Sequence, residues 1–202
     1  LVNELLKHPD INPNQQNTDT GMTPLYRASW EGHIEIVNKL LEYGADPNLE
    51  RTDGWGVPLF IASEKGQLDV VRILLINQAD PNNIPDKHGI TPLFMAVIKG
   101  HLNIVKELLA NGANPNIAKQ VDGVTPLLRA VERGNREIVR VLVDNGADQN
   151  VPSNDGMTPL SMAEMRGYTR IATILSDVPD NINQYSESNV SDNEDRFISL
   201  DN

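Results

Sequence analysis

Five prolines, Pro24, Pro58, Pro92, Pro126 and Pro159, stand 34, 34, 34 and 33 residues apart. A period of that length marks a chain built from stacked supersecondary units, each too small to bury its apolar face alone. Each proline sits in a related phrase: "TPLYRASWEG", "VPLFIASEKG", "TPLFMAVIKG", "TPLLRAVERG" and "TPLSMAEMRG". A second phrase keeps step with the first, as "GADPN" at Gly44, "QADPN" at Gln78, "GANPN" at Gly112 and "GADQN" at Gly146. Between them lie segments such as "GHLNIVKELLAN", with apolar residues at the i, i+3, i+4 spacing of an amphipathic helix.

Local chemistry predicts where each unit starts and turns. A Thr before Pro offers a side-chain oxygen to a helix N-terminus, and Pro at the first helical position gives up only a donor that would have had no partner. Gly32, Gly66, Gly100, Gly134 and Gly167 then end the first helix, because glycine enters the left-handed region at little cost. The second helix ends at Gly44, Gly112 or Gly146, and a polar loop with a turn follows. The second unit departs from this pattern. Val57 replaces the capping Thr, Gln78 replaces the closing Gly, and "DGWGVP" reads as a Trp-Gly insertion near the loop tip.

These phrases resemble the ankyrin repeat, over roughly residues 1–177: a truncated leading unit, four full units and a C-terminal half unit. Tetratricopeptide repeats share the period, but their W-x2-L-G-x2-Y signature is absent. The resemblance implies an all-α solenoid of stacked helix-turn-helix units with finger-like loops. It implies also that the first helices and fingers line a concave groove that binds other proteins, without catalysis. With aromatics at 4%, the core must come mostly from Leu, Ile, Val and Ala. Leu40, Leu41, Leu74, Leu75, Leu108, Leu109 and Leu142 are expected to bury the second helices.

Residues 178–202 differ in kind. From Ser176 onward seven acidic residues face the single Arg196, a net charge of −6 out of −11 for the chain. That composition predicts an acidic, flexible tail, in which "RFISL" is an apolar exception. The chain opens on "LVNELLKHPD", which reads as the middle of a helix and suggests an excerpt of a longer protein.

Sequence motifs for chemistry are few. His33 and His101 occupy the "GH" position after a first helix, and His8 and His88 fall in separate loops, so no metal-ligand spacing emerges. The Asp-Gly pairs at Asp53, Asp122 and Asp155 lack the other acids of a calcium loop and read as turns. There is no glycine-rich phosphate loop or nucleophile elbow. The chain has no Cys, which removes disulfides and thiolate chemistry and fits a reducing, cytoplasmic setting. No apolar run approaches the roughly 20 residues that span a bilayer. No catalytic residue, metal or cofactor is therefore assigned, and a monomer is favoured.

What varies between units carries the functional signal. Residues four and eight after each cap share a helix face and form two columns down the stack. The first is Arg27, Ile61, Met95, Arg129 and Met162; the second is Glu31, Lys65, Lys99, Arg133 and Arg166. We read Ile61, Lys65, Met95, Lys99, Arg129, Arg133 and Arg166, framed by Trp30 and Trp55, as a partner-binding track. Its ligand would be an acidic, partly apolar peptide or loop of a protein. Solubilising surface is the plainer reading of the same charges. An alternative is that the array recruits substrate for a larger enzyme, or belongs to a bacterial protein delivered into host cells. Nucleic acid is disfavoured, since a net charge of −5 remains before the tail. Finally, Asn48, Asn82, Asn116 and Asn150 each follow a Leu by eight residues, which resembles the pattern favoured by asparaginyl hydroxylation of ankyrin repeats. Loop stabilisation by hydrogen bonds is the plainer role.

Overall fold

The computed structural model describes His8, residues 11–84 and residues 89–176. Among them are ten α-helices and no strand. They form five helix pairs: α1 (Pro24–Glu31) with α2 (Ile34–Glu42), α3 (Pro58–Lys65) with α4 (Leu68–Ile76), and α5 (Pro92–Lys99) with α6 (Leu102–Ala110). Two more follow, α7 (Pro126–Glu132) with α8 (Arg136–Asp144) and α9 (Pro159–Arg166) with α10 (Thr169–Leu175). Most of the leading unit, the tip of the third finger with His88, and the acidic tail lie outside the described residues.

The caps follow the sequence. Thr23, Thr91, Thr125 and Thr158 each accept a backbone N–H from three residues on, while Val57 makes no such bond. Gly32, Gly66, Gly100 and Gly167 close their helices in the left-handed region. In the fourth unit the helix closes one residue earlier, at Arg133, and Gly134 with φ 68° still turns the chain. At the end of the second helices the Ala45, Ala79, Ala113 and Ala147 amides reach back to leucine carbonyls at 2.9–3.0 Å. That closure needs a left-handed residue just before the alanine, and in the second unit Gln78 supplies it, at φ 66°.

Small residues set how closely units stack. Ala62, Ala96, Ala130 and Ala163 on the first helices are fully buried, as are Leu59, Leu93 and Leu127 beside them. Consecutive first helices therefore pack more intimately than consecutive second helices. The second helices contribute Val71, Val105, Val139, Leu74, Leu108 and Leu142 to the core. The paired leucines are not equivalent: Leu40, Leu74, Leu108 and Leu142 are buried, whereas Leu41, Leu75 and Leu109, one residue further round the helix, are half-buried at the core's edge.

The first, second and fourth fingers are short reversals closed by a backbone bond, Asn17 N–H to the Met22 carbonyl, Arg51 to Gly56, and Lys119 to Val124. Finger two is thus as long as fingers one and four, and the Trp-Gly pair is no insertion. Its glycines are displaced instead: Gly54 and Gly56 take positive φ, and Trp55 stands where the other fingers place glycine. Finger five closes between Ser153 and Met157, one residue shorter, which accounts for the single spacing of 33.

Candidate functional site

The face expected to line the groove is built by α1, α3, α5, α7 and α9, each entered from a finger. Its first column is not uniformly open. Arg27 is exposed and pairs with Glu31 of its own helix at 2.6 Å. Ile61 is only 2% exposed, so it belongs to the wall of the groove and offers a partner little surface. Met95 and Met162 are half-buried and packed against the core. Arg129 is half-buried as well: it bonds Glu132, and its guanidinium lies 5.9 Å from the Phe94 ring centroid.

The second column is more accessible. Lys65 Nζ sits 4.6 Å from the Trp30 ring centroid, a cation–π contact between the first and second units. Lys99 Nζ lies 3.4 Å from Glu64 Oε1. Arg133 and Arg166 are exposed and have no ion pair among the described residues. Arg129 and Arg133, four residues apart, therefore do different things. One is laid down against an aromatic ring and a carboxylate; the other is left to solvent.

The two tryptophans also separate. Trp30 is half-buried, edge-on to Tyr26 with centroids 6.4 Å apart, and its carbonyl accepts from Gln67 Nε2 at 3.5 Å. Trp55 is 69% exposed, yet its backbone is held: its N–H donates to Asp53 Oδ1 at 3.2 Å, and its carbonyl accepts from Tyr26 Oη at 3.3 Å. Beneath it lies Arg51, whose side chain is 9% exposed. Its guanidinium is 5.0 Å from the Tyr26 ring centroid, donates to Tyr26 Oη at 3.4 Å and bonds Asp53. Burial pushes the Tyr26 hydroxyl above its ordinary range, Glu64 and Asp53 add to this, and Arg51 opposes it. This cluster went unseen in the sequence reading, because Arg51 and Tyr26 are 25 residues apart on a finger and a helix.

A ladder of asparagines ties the loops together. Asn14 Nδ2 donates to the Gly44 carbonyl at 3.1 Å and its Oδ1 accepts from Asp46 N–H at 2.7 Å. The same two bonds recur from Asn48 to Gln78 and Asp80, from Asn82 to Gly112 and Asn114, and from Asn116 to Gly146 and Asp148. Asn150 makes neither bond among the described residues; only its backbone is tied, to Asp148 Oδ1 at 2.9 Å. Asn14 was missed from the sequence, although "NPN" at Asn12 repeats the loop phrase and signals it.

The histidines take positions in the turns. His101 Nε2 is 3.2 Å from the Glu64 carbonyl, at the end of the preceding first helix, and His33 is exposed. Among the described residues no three of His, Asp and Glu converge as metal ligands. None of the described helices is long and apolar enough to cross a membrane.

No curated protein matches the sequence. The model of the ankyrin repeats, which holds three copies, matches residues 1–51, 50–119 and 111–186. With a match over nearly the whole length, the chain belongs to the ankyrin repeat family, whose arrays are in general non-catalytic modules of protein–protein interaction.

Proposed function

We propose that this array binds a partner protein on the face formed by the first helices and fingers, through the track of Lys65, Lys99, Arg133 and Arg166 with Trp30 and Trp55 at its N-terminal end. The observation that supports the reading is the pair Arg133 and Arg166, two cations on neighbouring first helices that are exposed and have no ion pair among the described residues. A guanidinium in that state has its hydrogen-bonding fork free for a carboxylate. Met95 and Arg129 supply half-buried apolar and stacked surface beside them. The partner's matching feature is an acidic, partly apolar segment. Exposed tryptophan on a held backbone is the kind of anchor that dominates protein interfaces, which adds Trp55 to the contact.

The test is affinity capture with mass spectrometry to identify the partner, followed by titration of Lys99→Glu with Arg133→Glu against wild type at two salt concentrations. The control reverses charge on a second helix, Lys106→Glu with Arg140→Glu. The groove variant is expected to bind more weakly with a flattened salt dependence, because steering between opposite charges is screened by salt. Circular dichroism should show both variants folded, since exposed substitutions move stability by only about 0.5 kcal/mol. Equal affinities for wild type, groove variant and control would dismiss the track.

A further inference from the structure

We propose that the chain's own C-terminal acidic segment, centred on Asp192, Glu194 and Asp195, is an intramolecular occupant of the basic track and competes there with the external partner. The inference rests on the groove reading above and names what regulates that site.

Three observations support it. The first is charge. At positions four, seven and eight after the caps, the first helices carry Arg27, Lys65, Lys99, Arg129, Arg133 and Arg166 against Glu31, Glu64 and Glu132. Each carboxylate is already paired within the groove, to Arg27, Lys99 and Arg129 respectively. The uncompensated positive charge is therefore at Lys65, Arg133 and Arg166, and two of these three are toward the C-terminal end. The segment after Ser176 carries net −6 and no lysine.

The second is the point of departure. Helix α10 ends at Leu175, and each earlier second helix is followed by the loop that leads into the next finger. The described chain thus ends, at Ser176, in the same unit that holds Arg166, at the point where the earlier units lead into a finger. The third is reach. Sixteen residues separate Ser176 from Asp192, about 50 Å at full extension. From Arg166 to Lys99 the track crosses two helix spacings, about 20 Å.

The segment also has the mixed chemistry the track fits. "NED" is followed directly by "RFISL", which brings Phe197, Ile198 and Leu200. On the array, Arg166 adjoins Met165, 62% exposed, and half-buried Met162 lies one turn away. Carboxylates on Arg133 and Arg166 would set the apolar residues beside those methionines.

The absence of cysteine makes the test clean on the full chain. Ser199→Cys gives a single thiol for a spin label, and amide signals of the isotope-labelled protein report what the label approaches. Expected is a loss of signal at α7 and α9 at about 50 mM salt, relieved at about 500 mM, where screening shortens to a few Å. Arg133→Glu with Arg166→Glu should abolish the loss at low salt as well. A label that leaves those amides untouched, or broadens the whole array evenly, overturns the proposal. So does a loss that appears only when a labelled chain acts on an unlabelled, isotope-enriched one, for that is contact between two copies. Should partner binding depend on Lys99 and Arg133 while the label finds no groove, the tail inference alone fails and the groove reading stands.

Discussion

Lys99 reaches from its own helix to Glu64 of the helix one repeat before it, Nζ to Oε1 at 3.4 Å. The contact gives one member of the proposed basic track a counter-charge from within the array. Arg129 and Arg27 are restrained as well, each by a carboxylate of its own helix, Glu132 and Glu31. A carboxylate of the proposed partner must displace Glu64 to use Lys99, whereas Arg133 and Arg166 have no ion pair to break among the described residues.

Different single substitutions are therefore expected to act unequally. Arg133→Ala should weaken partner binding more than Lys99→Ala, because Lys99 already has a carboxylate. Glu64→Gln should strengthen binding by releasing Lys99, with a gain of a few-fold at low salt that fades at high salt. Titrations of the three variants against wild type check this. A Glu64→Gln chain that binds no better at low salt would mean that the internal pair does not compete with the partner.

The ladder predicts graded costs along one register. Asn82→Ala removes the bonds to Gly112 and Asn114, and at about 0.5–1.5 kcal/mol per bond it should cost about 1–3 kcal/mol. Asn150→Ala, at the end of the ladder, should stay within about 0.5 kcal/mol. Denaturant unfolding of both variants separates the two. Similar losses would show that the loop residue matters for its own turn and not for bridging units.

Much of this was legible from the sequence because repeat physics is periodic. The Thr-Pro starts, most of the glycine reversals and Leu40, Leu74, Leu108 and Leu142 stand where the spacing puts them, whereas Leu41, Leu75 and Leu109, expected to be buried as well, are half-buried. The counter-charges were not legible in the same way. Columns were followed at steps of four, but residues three apart are also helix neighbours, and Glu64 and Glu132 sit at that third position. The register of Ile61 alone places it on the groove surface. It is 2% exposed, and burial depends on what packs over a helix, which the register of one helix does not report. The Arg51–Tyr26 contact depends on the path of a finger, for which helical periodicity carries no information.

Gln78 offers a test of local strain. It holds φ 66° where the equivalent residues are Gly44, Gly112 and Gly146, and its side chain makes no hydrogen bond among the described residues. A side chain in the left-handed region costs about 1 kcal/mol or more, part of which glycine returns through the entropy of the unfolded chain. Gln78→Gly should therefore stabilise the protein by about 0.5–1 kcal/mol in denaturant unfolding. Destabilisation would mean that the turn does not need the conformation seen here.

In the core, Leu108→Ala should cost about 2–5 kcal/mol, as deletion of a fully buried leucine does. Leu109→Ala, at the half-buried edge, should cost clearly less. The comparison is made by unfolding the two variants side by side. A loss below about 0.5 kcal/mol at Leu108 would contradict the register of α6, and equal losses would contradict the difference in burial.

The Tyr26 hydroxyl gives the array an alkaline signature. Burial holds its ionisation above the ordinary tyrosine value of about 10, so the folded state keeps the proton that the unfolded chain gives up. The stability tied to this group is fully present below about pH 10 and is lost as pH rises from there through the folded value, by up to about 1.4 kcal/mol per pH unit. Tyr26→Phe removes the titration. At pH 7 it also removes the bond to the Trp55 carbonyl and one acceptor of Arg51, for a cost of about 1 kcal/mol or somewhat more. Unfolding of wild type and Tyr26→Phe from pH 7 to 11 should thus show wild type the more stable at neutrality and the gap closing above pH 10. Other tyrosines and lysines titrate equally in both chains, so the difference isolates this hydroxyl. A gap that stays constant to pH 11 would place the Tyr26 hydroxyl in solvent, away from Arg51 and the Trp55 backbone, and would leave the exposed indole without its anchor.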